Sequence, residues 1–286
     1  MEKQNIDNLH TYQDVLEFGK SYLMEKQILN GSTDAWYLFE YIFDLNRMEY
    51  LLEPEKEAKP HQVEKYLKVL ERRGTNYPVQ YIIGNTEFMG YTFLVNENVL
   101  IPRQDTELLV ETAADMLADN ASVLDMCTGS GCIIISLAKM FSLGRAVGTD
   151  ISGKAVETAL RNCQLNEAEN VEIIKGDLFE NVTGRFDVII SNPPYIPTEE
   201  IQCLMTEVRG FEPAIALDGS GDGLEFYRRI VSQAKNYLTD DGMIFLEIGW
   251  NQGRDVKQIL EAEGFTDVTV KRDLAGLDRV IYGNKG

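Results

Sequence analysis

The chain has 286 residues, which is enough for one large domain or for two domains of ordinary size. Its 46 acidic side chains outnumber the 27 basic ones and give a formal charge of −19, which argues against a surface built for nucleic acid or for an anionic membrane. The two histidines and four cysteines form no pattern typical of a metal site, a Ser-His-Asp triad or a disulfide framework, so we expect no metal.

The first part of the chain has a helical pattern. Apolar residues recur at helical spacing over residues 11–29, and the pattern stops at an Asn-Gly pair. A second helix is predicted after a capping Ser32 or Thr33, and another from Pro60, a residue favoured in the first turn. Residues 1–75 are therefore predicted to form a small helical bundle.

The start of the chain and its hydropathy also predict a location. The first ten residues are polar and lack the apolar core of a signal peptide. No apolar stretch approaches the ~20 residues needed to cross a bilayer. We therefore expect a soluble, cytoplasmic protein with no membrane contact.

The period of the pattern changes after residue 75. Residues 79–83, 87–89 and 91–95 are rich in β-forming side chains and are separated by Gly84-Asn85 and by Gly90. We predict that residues 76–101 form a β-hairpin linker.

From Thr106 onward, helices and strands alternate. Strands are predicted over residues 122–125, 146–150, 171–175, 186–191 and 243–248, and helices over 107–117, 132–141, 155–165, 224–238 and 252–263. A last pair of strands closes the chain. This order predicts a doubly wound, Rossmann-like α/β domain over residues 102–286.

A glycine-rich turn, Asp125-Met-Cys-Thr-Gly-Ser-Gly131, joins a predicted strand to a predicted helix. Glycine lets the backbone approach a ligand closely, and the free amides at the start of the helix favour a carboxylate. The spacing is not G-x-G-x-x-G, so a dinucleotide fits poorly. Asp150 ends the next strand, where its carboxylate could accept hydrogen bonds from both hydroxyls of an adenosine ribose or could simply be solvated.

A second motif, Ser191-Asn-Pro-Pro-Tyr-Ile196, directly follows the strand over residues 186–190. The two prolines fix two φ angles and hold Asn192 out of the α region, which predicts a rigid turn at the carboxyl end of a strand. The Asn192 side-chain oxygen and the Pro193 carbonyl would then be two fixed acceptors beside the flat ring of Tyr195. A planar NH2 group fits that arrangement, although a Pro-Pro pair can also be only a loop breaker.

Together these motifs resemble those of the class I S-adenosylmethionine-dependent amino-methyltransferases. Further segments narrow the resemblance to the bacterial release factor glutamine methyltransferases: Pro78-Val-Gln-Tyr-Ile-Ile-Gly84, Phe88-Met-Gly90, Val99-Leu-Ile-Pro-Arg103, Thr106-Glu107, Glu212-Pro213, Ala216-Leu217, Gly221-Asp-Gly-Leu224, Leu246-Glu-Ile-Gly249, Asp273-Leu-Ala-Gly276 and Asp278-Arg-Val280. They run from about Pro78 to the end, whereas the preceding helical region is similar in length and character.

The resemblance implies methylation of the side-chain N5 of the glutamine in the Gly-Gly-Gln motif of translation release factors. S-adenosylmethionine is the implied cofactor and S-adenosylhomocysteine the product. The implied cofactor residues are Asp125, Cys127, Thr128, Gly129, Ser130, Gly131, Asp150, Asp177, Leu178 and Asn192. The implied substrate residues are Asn192, Pro193, Pro194, Tyr195, Arg103 and Glu107, of which Asn192, Pro193 and Tyr195 are implied as catalytic. The expected partner is a release factor, bound by a monomer without direct contact to nucleic acid.

The sequence departs from the family pattern at two places. Cys127 stands where the family usually has glycine, so the turn must accept a small side chain there. Gln104 and Asp105 replace the proline and glutamate of the family's Pro-Arg-Pro-Glu-Thr-Glu, between an Arg103 and a Glu107 that remain. Those two residues could also form a local ion pair that fixes the loop.

Three other functions are compatible with parts of the pattern. An adenine-N6 methyltransferase acting on DNA or RNA would hold the same kind of planar NH2 group, but the charge of −19 and the lack of a basic insertion oppose phosphate contacts. A nicotinamide oxidoreductase would need a different glycine spacing. An inactive cofactor-binding scaffold would be expected to have lost the Asn-Pro-Pro-Tyr motif.

Overall fold

The structure is a computed structural model that describes residues 9–286, so the first eight residues of the polar start lie outside it. The chain forms two compact units. The first comprises the described residues up to Gly84 together with the later segment Thr206–Phe211, and the second comprises Asn85–Met205 and Glu212–Gly286. Among the described residues, no helix has the length and hydropathy of a membrane span.

The described part of the first unit is built from helices. Its helices are α1 (Tyr12–Glu25), α2 (Gly31–Phe43), α3 (Arg47–Leu52), α4 (Pro60–Arg73), α5 (Val79–Ile83) and the later α9 (Thr206–Phe211). Thr11 caps α1 in a capping box with Asp14, and Pro60 is the first residue of α4, as predicted. The core contains Phe39 and Tyr66, whose hydroxyl donates to the Ala35 carbonyl at 2.9 Å.

Two expectations for this part of the chain are wrong. The predicted strand over residues 79–83 is the short helix α5. The helix ends at Gly84, whose φ of 89° forms a left-handed C-cap that glycine adopts readily. Its β-branched side chains serve packing, with Val79 buried in the helical core. The predicted cap at Ser32 or Thr33 is also wrong, since α2 already begins at Gly31 without a side-chain cap.

Residue Arg73 ties the later segment α9 into the first unit. Its Nε lies 2.7 Å from Asp34 Oδ2 in α2, and its Nη2 lies 2.7 Å from Glu207 Oε2 in α9. Tyr77 and Phe211 meet edge to face with ring centroids 5.1 Å apart. The segment is therefore held by a partly buried ion pair and an aromatic contact.

The second unit opens with an antiparallel hairpin and continues as an α/β sheet. Its elements are β1 (Asn85–Phe88), β2 (Tyr91–Leu94), α6 (Gln104–Ala114), β3 (Ser122–Met126), α7 (Cys132–Met140), β4 (Arg145–Asp150), α8 (Gly153–Leu165), β5 (Val171–Lys175), β6 (Phe186–Ser191), α10 (Glu225–Tyr237), β7 (Leu238–Glu247), α11 (Gly253–Ala262), β8 (Thr266–Arg272) and β9 (Asp278–Asn284). Short 3-10 turns cover Thr198–Cys203 and Ala214–Ala216.

The seven-stranded sheet has the order β5-β4-β3-β6-β7-β9-β8. Strands β5, β4, β3, β6 and β7 run parallel to one another. Strand β9 is antiparallel to both β7 and β8. This confirms the predicted doubly wound α/β fold. The central strands β3 and β6 are buried on both faces and therefore consist largely of apolar residues.

This topology positions the site. Parallel strands end at one edge of a sheet, so the residues that follow β3, β4, β6 and β7 meet there. The glycine turn, Asp150, the Asn-Pro-Pro-Tyr motif and Glu247 are thereby brought to the same edge.

Candidate active site

The turn after β3 is built from left-handed backbone. Cys127, Gly129 and Gly131 have φ values of 58°, 56° and 81°. A Cβ at Gly129 would meet only the Cys127 carbonyl oxygen, at 4.0 Å, so this glycine faces open space. A Cβ at Gly131 would lie 2.9 Å from the Ile135 side chain, so here glycine permits close packing.

Cys127 adopts the left-handed conformation that glycine favours, so the departure from the family pattern puts a side chain on strained backbone. Its side chain packs against the hydrophobic core, and burial raises the pKa of its thiol. The thiol therefore stays protonated near neutral pH.

Asp150 is fixed by two main-chain amides. Its Oδ2 accepts from Gly129 N at 2.9 Å and its Oδ1 from Ser152 N at 2.8 Å. Burial raises the pKa of this carboxyl, although the two N–H bonds oppose the shift. The result is an oriented acceptor joined directly to the glycine turn.

Asp125 lies beneath the turn. It is fully buried, and its Oδ2 accepts from the Thr128 hydroxyl, while its Oδ1 has no hydrogen-bond partner within the described residues. Burial raises its pKa to about 7. Its contact with Thr128 supports the turn from below.

The Asn-Pro-Pro-Tyr motif begins where β6 ends. The preceding Ser191 donates its hydroxyl to the Met126 carbonyl at 2.6 Å, which joins this strand end to that of β3. Asn192 donates its side-chain NH2 group to Thr106 Oγ1 at 3.1 Å. In this amide orientation the bond uses the nitrogen and leaves the side-chain oxygen to accept from a ligand.

Tyr195 is held through both its backbone and its hydroxyl. Its carbonyl accepts from Gln252 Nε2 at 2.9 Å, and a Cβ at Gly219 would come within 2.8 Å of its backbone. Its hydroxyl donates to Glu247 Oε1 at 3.3 Å. Burial and the neighbouring Glu247 raise the pKa of the phenol, which therefore remains protonated.

Thr106 and Glu247 are site residues to which the sequence interpretation gives no role. Both stand in family-like segments, Thr106-Glu107 and Leu246-Glu-Ile-Gly249, and that is the signal that could have found them. Burial raises the pKa of Glu247 to about 7, while the nearby Thr106 hydroxyl and the charge of Arg279 lower it. They connect α6 and β7 to the motif.

Arg103 and Glu107 do not form the local ion pair considered as an alternative. Arg103 pairs with Glu212, which is itself buried. Glu107 Oε1 accepts from Met89 N, in the hairpin turn, at 2.7 Å. Each residue thus holds a different segment of the second unit.

A cleft of about 1050 Å³, partly open to solvent, lies at this edge of the sheet and is lined entirely by the second unit. The predicted residues that line it are Cys127, Thr128, Gly129, Ser130, Asp150, Asp177, Leu178, Asn192 and Pro194. Within the described part of the chain, those that the cleft wall does not include are Asp125, Gly131, Pro193, Tyr195, Arg103 and Glu107. Arg229, which was not predicted, lines the cleft and pairs with Asp177 at 2.7 Å.

The sheet order and its loops define the class of protein. A glycine turn follows β3, an acid ends β4, and Asn-Pro-Pro-Tyr follows β6, all on a sheet whose last strand inserts antiparallel beside β7. This is the architecture of a class I methyltransferase. Among residues 9–286, no cluster of histidine, cysteine or acidic side chains is arranged to hold a metal ion.

Comparison with known proteins gives the particular family. Residues 14–84 match the family model of the PrmC N-terminal domain, and residues 103–208 match that of the methyltransferase small domain. The release factor glutamine methyltransferase of Geobacter sulfurreducens is 39% identical over 277 residues, covering 96% of this chain and 97% of the relative. That of Clostridium acetobutylicum is 40% identical over 259 residues, covering 88% and 91%. The chain belongs to the release factor glutamine methyltransferase family.

A solved structure shows the same fold at lower identity. A methyltransferase from Pyrococcus furiosus superposes with a TM-score of 0.53 and 20% identity, covering 68% of this chain and 88% of that one. At this identity the likeness concerns the fold alone, and it agrees with the sheet order described above.

The cleft residues fit S-adenosylmethionine, the methyl donor of this class. Asp150 offers an oriented carboxylate of the kind that ribose hydroxyls require, and the open space at Gly129 lets a ligand approach the backbone. Ile151 and Leu178 add apolar surface to the wall of the cleft.

Proposed function

We propose that this protein transfers a methyl group from S-adenosylmethionine to the side-chain N5 of the glutamine in the Gly-Gly-Gln motif of translation release factors. The observation that carries the proposal is the geometry of Asn192, whose NH2 group is bonded to Thr106 and whose oxygen is left to accept at the cleft. The match to named relatives over nearly the whole chain supports the same substrate.

The chemistry demands positioning more than a strong base. An amide nitrogen is a poor nucleophile, because its lone pair is delocalised into the carbonyl. S-adenosylmethionine supplies a methyl group already activated on a sulfonium. Asn192 and the Pro193 carbonyl would accept the two N–H groups of the glutamine and draw its nitrogen toward a tetrahedral shape. Orientation of this kind is worth up to about 7–11 kcal/mol.

Tyr195 would supply the surface against which the planar amide lies. Its ring is fixed by the Glu247 contact at 3.3 Å, and its raised phenol pKa keeps it neutral. After transfer the nitrogen is strongly acidic, so its proton can pass to solvent. The reaction therefore needs no histidine, and the chain's two histidines, His10 and His61, both precede the second unit.

We infer that the first unit helps to bind the release factor. The match of residues 14–84 to the PrmC N-terminal domain supports this role, and so does the exposed apolar surface of α3, formed by Met48, Leu51 and Leu52. The corresponding division into a docking bundle over residues 1–75, a linker over 76–101 and a catalytic domain over 102–286 is part of this proposal. We infer a monomer that acts in the cytoplasm, where release factors work, and that does not bind nucleic acid directly.

A methyl-transfer assay tests the proposal. It uses labelled S-adenosylmethionine, purified release factor, and the same factor with the motif glutamine replaced by alanine. Label on the unmodified factor alone is the expected result and identifies substrate and acceptor together. Label on DNA or RNA oligonucleotides and on neither factor would replace the proposal by adenine methylation.

A further inference from the structure

The side-chain amide of Asn192 has two possible orientations. Its oxygen and its NH2 group are nearly equal in size, and a half-turn about the last side-chain bond exchanges them. Only one orientation offers the oxygen to a substrate NH2 group. The 3.1 Å bond to Thr106 does not by itself determine which orientation the amide adopts, because a hydroxyl group both donates and accepts.

The hydroxyl hydrogen of Thr106 needs an acceptor. Two other buried threonines, Thr112 and Thr158, donate theirs to the carbonyl oxygen four residues earlier, at 2.5 and 3.0 Å. Within the described residues Thr106 makes no such bond, since Pro102, four positions before it, precedes the helix. Thr106 is only 3% exposed, so water does not readily replace that bond.

Glu247 meets this need. Its side chain is buried, and its Oε2 has no hydrogen-bond partner among the described residues. Helix α6, which carries Thr106, packs against β7, which ends at Glu247. The Thr106 hydroxyl is near enough to this carboxyl to lower its pKa. An ionised carboxylate can only accept, so a Thr106 hydrogen bound to Glu247 leaves the Thr106 oxygen only the accepting role. Asn192 must then turn its NH2 group toward Thr106 and its oxygen toward the cleft.

We propose that Thr106 and Glu247 are positioning residues that fix the amide orientation of Asn192 and thereby present its oxygen to the substrate amide. This inference rests on the proposed function. Tyr195 donates to the same carboxylate, so one buried group orients both ends of the Asn-Pro-Pro-Tyr motif.

The titratable and charged groups that face Glu247 come from four elements: the loop residue Tyr195, Asp105 in α6, Arg279 in β9 and Tyr227 in α10. Arg279 favours the ionised carboxylate and Asp105 opposes it. Arg279 also pairs with Asp105 at 3.2 Å and with Asp273 at 3.0 Å. These two carboxylates partly neutralise its positive charge. A protonated Glu247 could itself donate to Thr106, so the orientation is lost as the pH falls through the pKa of Glu247.

Steady-state kinetics on release factor test the role of the hydroxyl. Thr106→Val keeps the size of the side chain and should lower kcat about ten- to hundredfold, with S-adenosylmethionine affinity within about twofold of wild type. Thr106→Ser restores the hydroxyl and should recover kcat to within about threefold. Thr112→Val, a buried threonine of the same helix, is the control and should leave kcat unchanged. A slow Thr106→Ser, or a Thr106→Val with wild-type kcat, would overturn the proposal.

A spectroscopic readout tests the same positioning of Asn192 by Thr106 and Glu247 without any substrate. In asparagine-labelled protein, the side-chain NH2 signals of Asn192 are assigned by their loss in Asn192→Asp. Exchange of these protons with solvent should be about tenfold slower in wild type and Thr106→Ser than in Thr106→Val, since one hydrogen bond is at stake. Equal exchange rates of the Asn192 NH2 protons in all three proteins would contradict this positioning role. Wild-type protein that shows this protection but transfers no methyl group to release factor would contradict the proposed function instead.

Discussion

Asn162 in α8 donates its side-chain Nδ2 to the Ser130 carbonyl of the glycine turn at 2.8 Å. The same side chain accepts from Leu94 N at 2.7 Å and donates to Leu94 O at 3.0 Å. One fully buried amide therefore joins the hairpin strand β2 to the turn that lines the cleft.

Replacing Asn162 by leucine should damage both fold and cleft. The change keeps the branched shape and the number of heavy atoms but leaves buried polar groups of Leu94 and Ser130 without partners, at about 1–3 kcal/mol for each such group. We expect the free energy of unfolding, measured with urea, to fall by about 2–4 kcal/mol. Titration calorimetry should also show weaker binding of S-adenosylmethionine.

Asn166 provides the matched control for that change. It lies one turn later in α8 and donates to the Thr92 carbonyl of the same hairpin at 2.9 Å, but it is less buried. Asn166→Leu should cost less stability and leave cofactor affinity unchanged. Equal losses in the two variants would show that Asn162 has no special link to the turn.

Asp150→Asn should weaken S-adenosylmethionine binding about ten- to hundredfold. The amide can replace only one of the two acceptor oxygens that Gly129 N and Ser152 N now use, so its NH2 group must face one of these donors. Calorimetric titration measures the affinity. Glu157→Gln removes an equal charge from the exposed face of α8 and should bind normally, whereas a similar loss in both variants would point to net charge instead.

Asn192→Ala should lower kcat by about 10²–10³-fold, comparable to the loss of one preorganised hydrogen-bonding group in other active sites. S-adenosylmethionine affinity should change little, because the carboxylate of Asp150 and the glycine turn remain. The measurement pairs kcat on release factor with a direct binding titration. Parallel losses in both quantities would instead assign Asn192 to general integrity of the site. Asn236→Ala, on the exposed face of α10, is the control.

Glu247→Gln should change the dependence of stability on pH. Burial raises the pKa of Glu247 to about 7 from an ordinary value of 4.5, so the unfolded chain loses this proton first as the pH rises. Wild type should therefore lose stability, relative to the variant, between those two values, by at most about 1.4 kcal/mol per pH unit. Above pH 7 the difference should level off.

Urea unfolding of both proteins between pH 5 and 8 measures that difference. Asp125, whose pKa burial also raises to about 7, is present in both proteins and cancels in the comparison. Parallel stability curves for wild type and variant over the whole range would show that Glu247 does not titrate there.

Cys127→Gly should preserve S-adenosylmethionine affinity within about threefold and stabilise the protein slightly, because glycine adopts a φ of 58° without strain. Cys127→Val should lose stability by about 1–3 kcal/mol, since a β-branched side chain tolerates that conformation poorly. Thermal unfolding ranks the three proteins. Similar stability of the valine and glycine variants would contradict the assigned backbone strain.

Local pattern predicted the sheet well. The strands Val171–Lys175 and Phe186–Ser191 have the predicted bounds. Phe186–Ser191 is a mostly apolar run and is largely buried, whereas Val171–Lys175 is an edge strand marked by its β-branched residues. The helix α5 was mistaken for a strand, since five residues are too short for periodicity to distinguish the two.

Contacts between residues far apart in the sequence could not be predicted from the sequence alone. Arg103 bonds to Glu212 across 109 positions, and Tyr195 bonds to Glu247 across 52. The family-like segments mark such residues as notable without saying which of them meet. Their contacts depend on strand order, which places β6 beside β7.

The ties of Arg73 also bear on how the chain folds as it is synthesised. Glu207, one of its two carboxylate partners, follows it by 134 residues, and Phe211 comes later still. The helical unit near the start of the chain therefore cannot be completed until most of the α/β unit has left the ribosome. A fragment that stops at Gly84 would lack α9, and one that begins at Asn85 would lack the residues that hold it, so the boundary between these two residues is not a place where the protein can be divided into two whole parts.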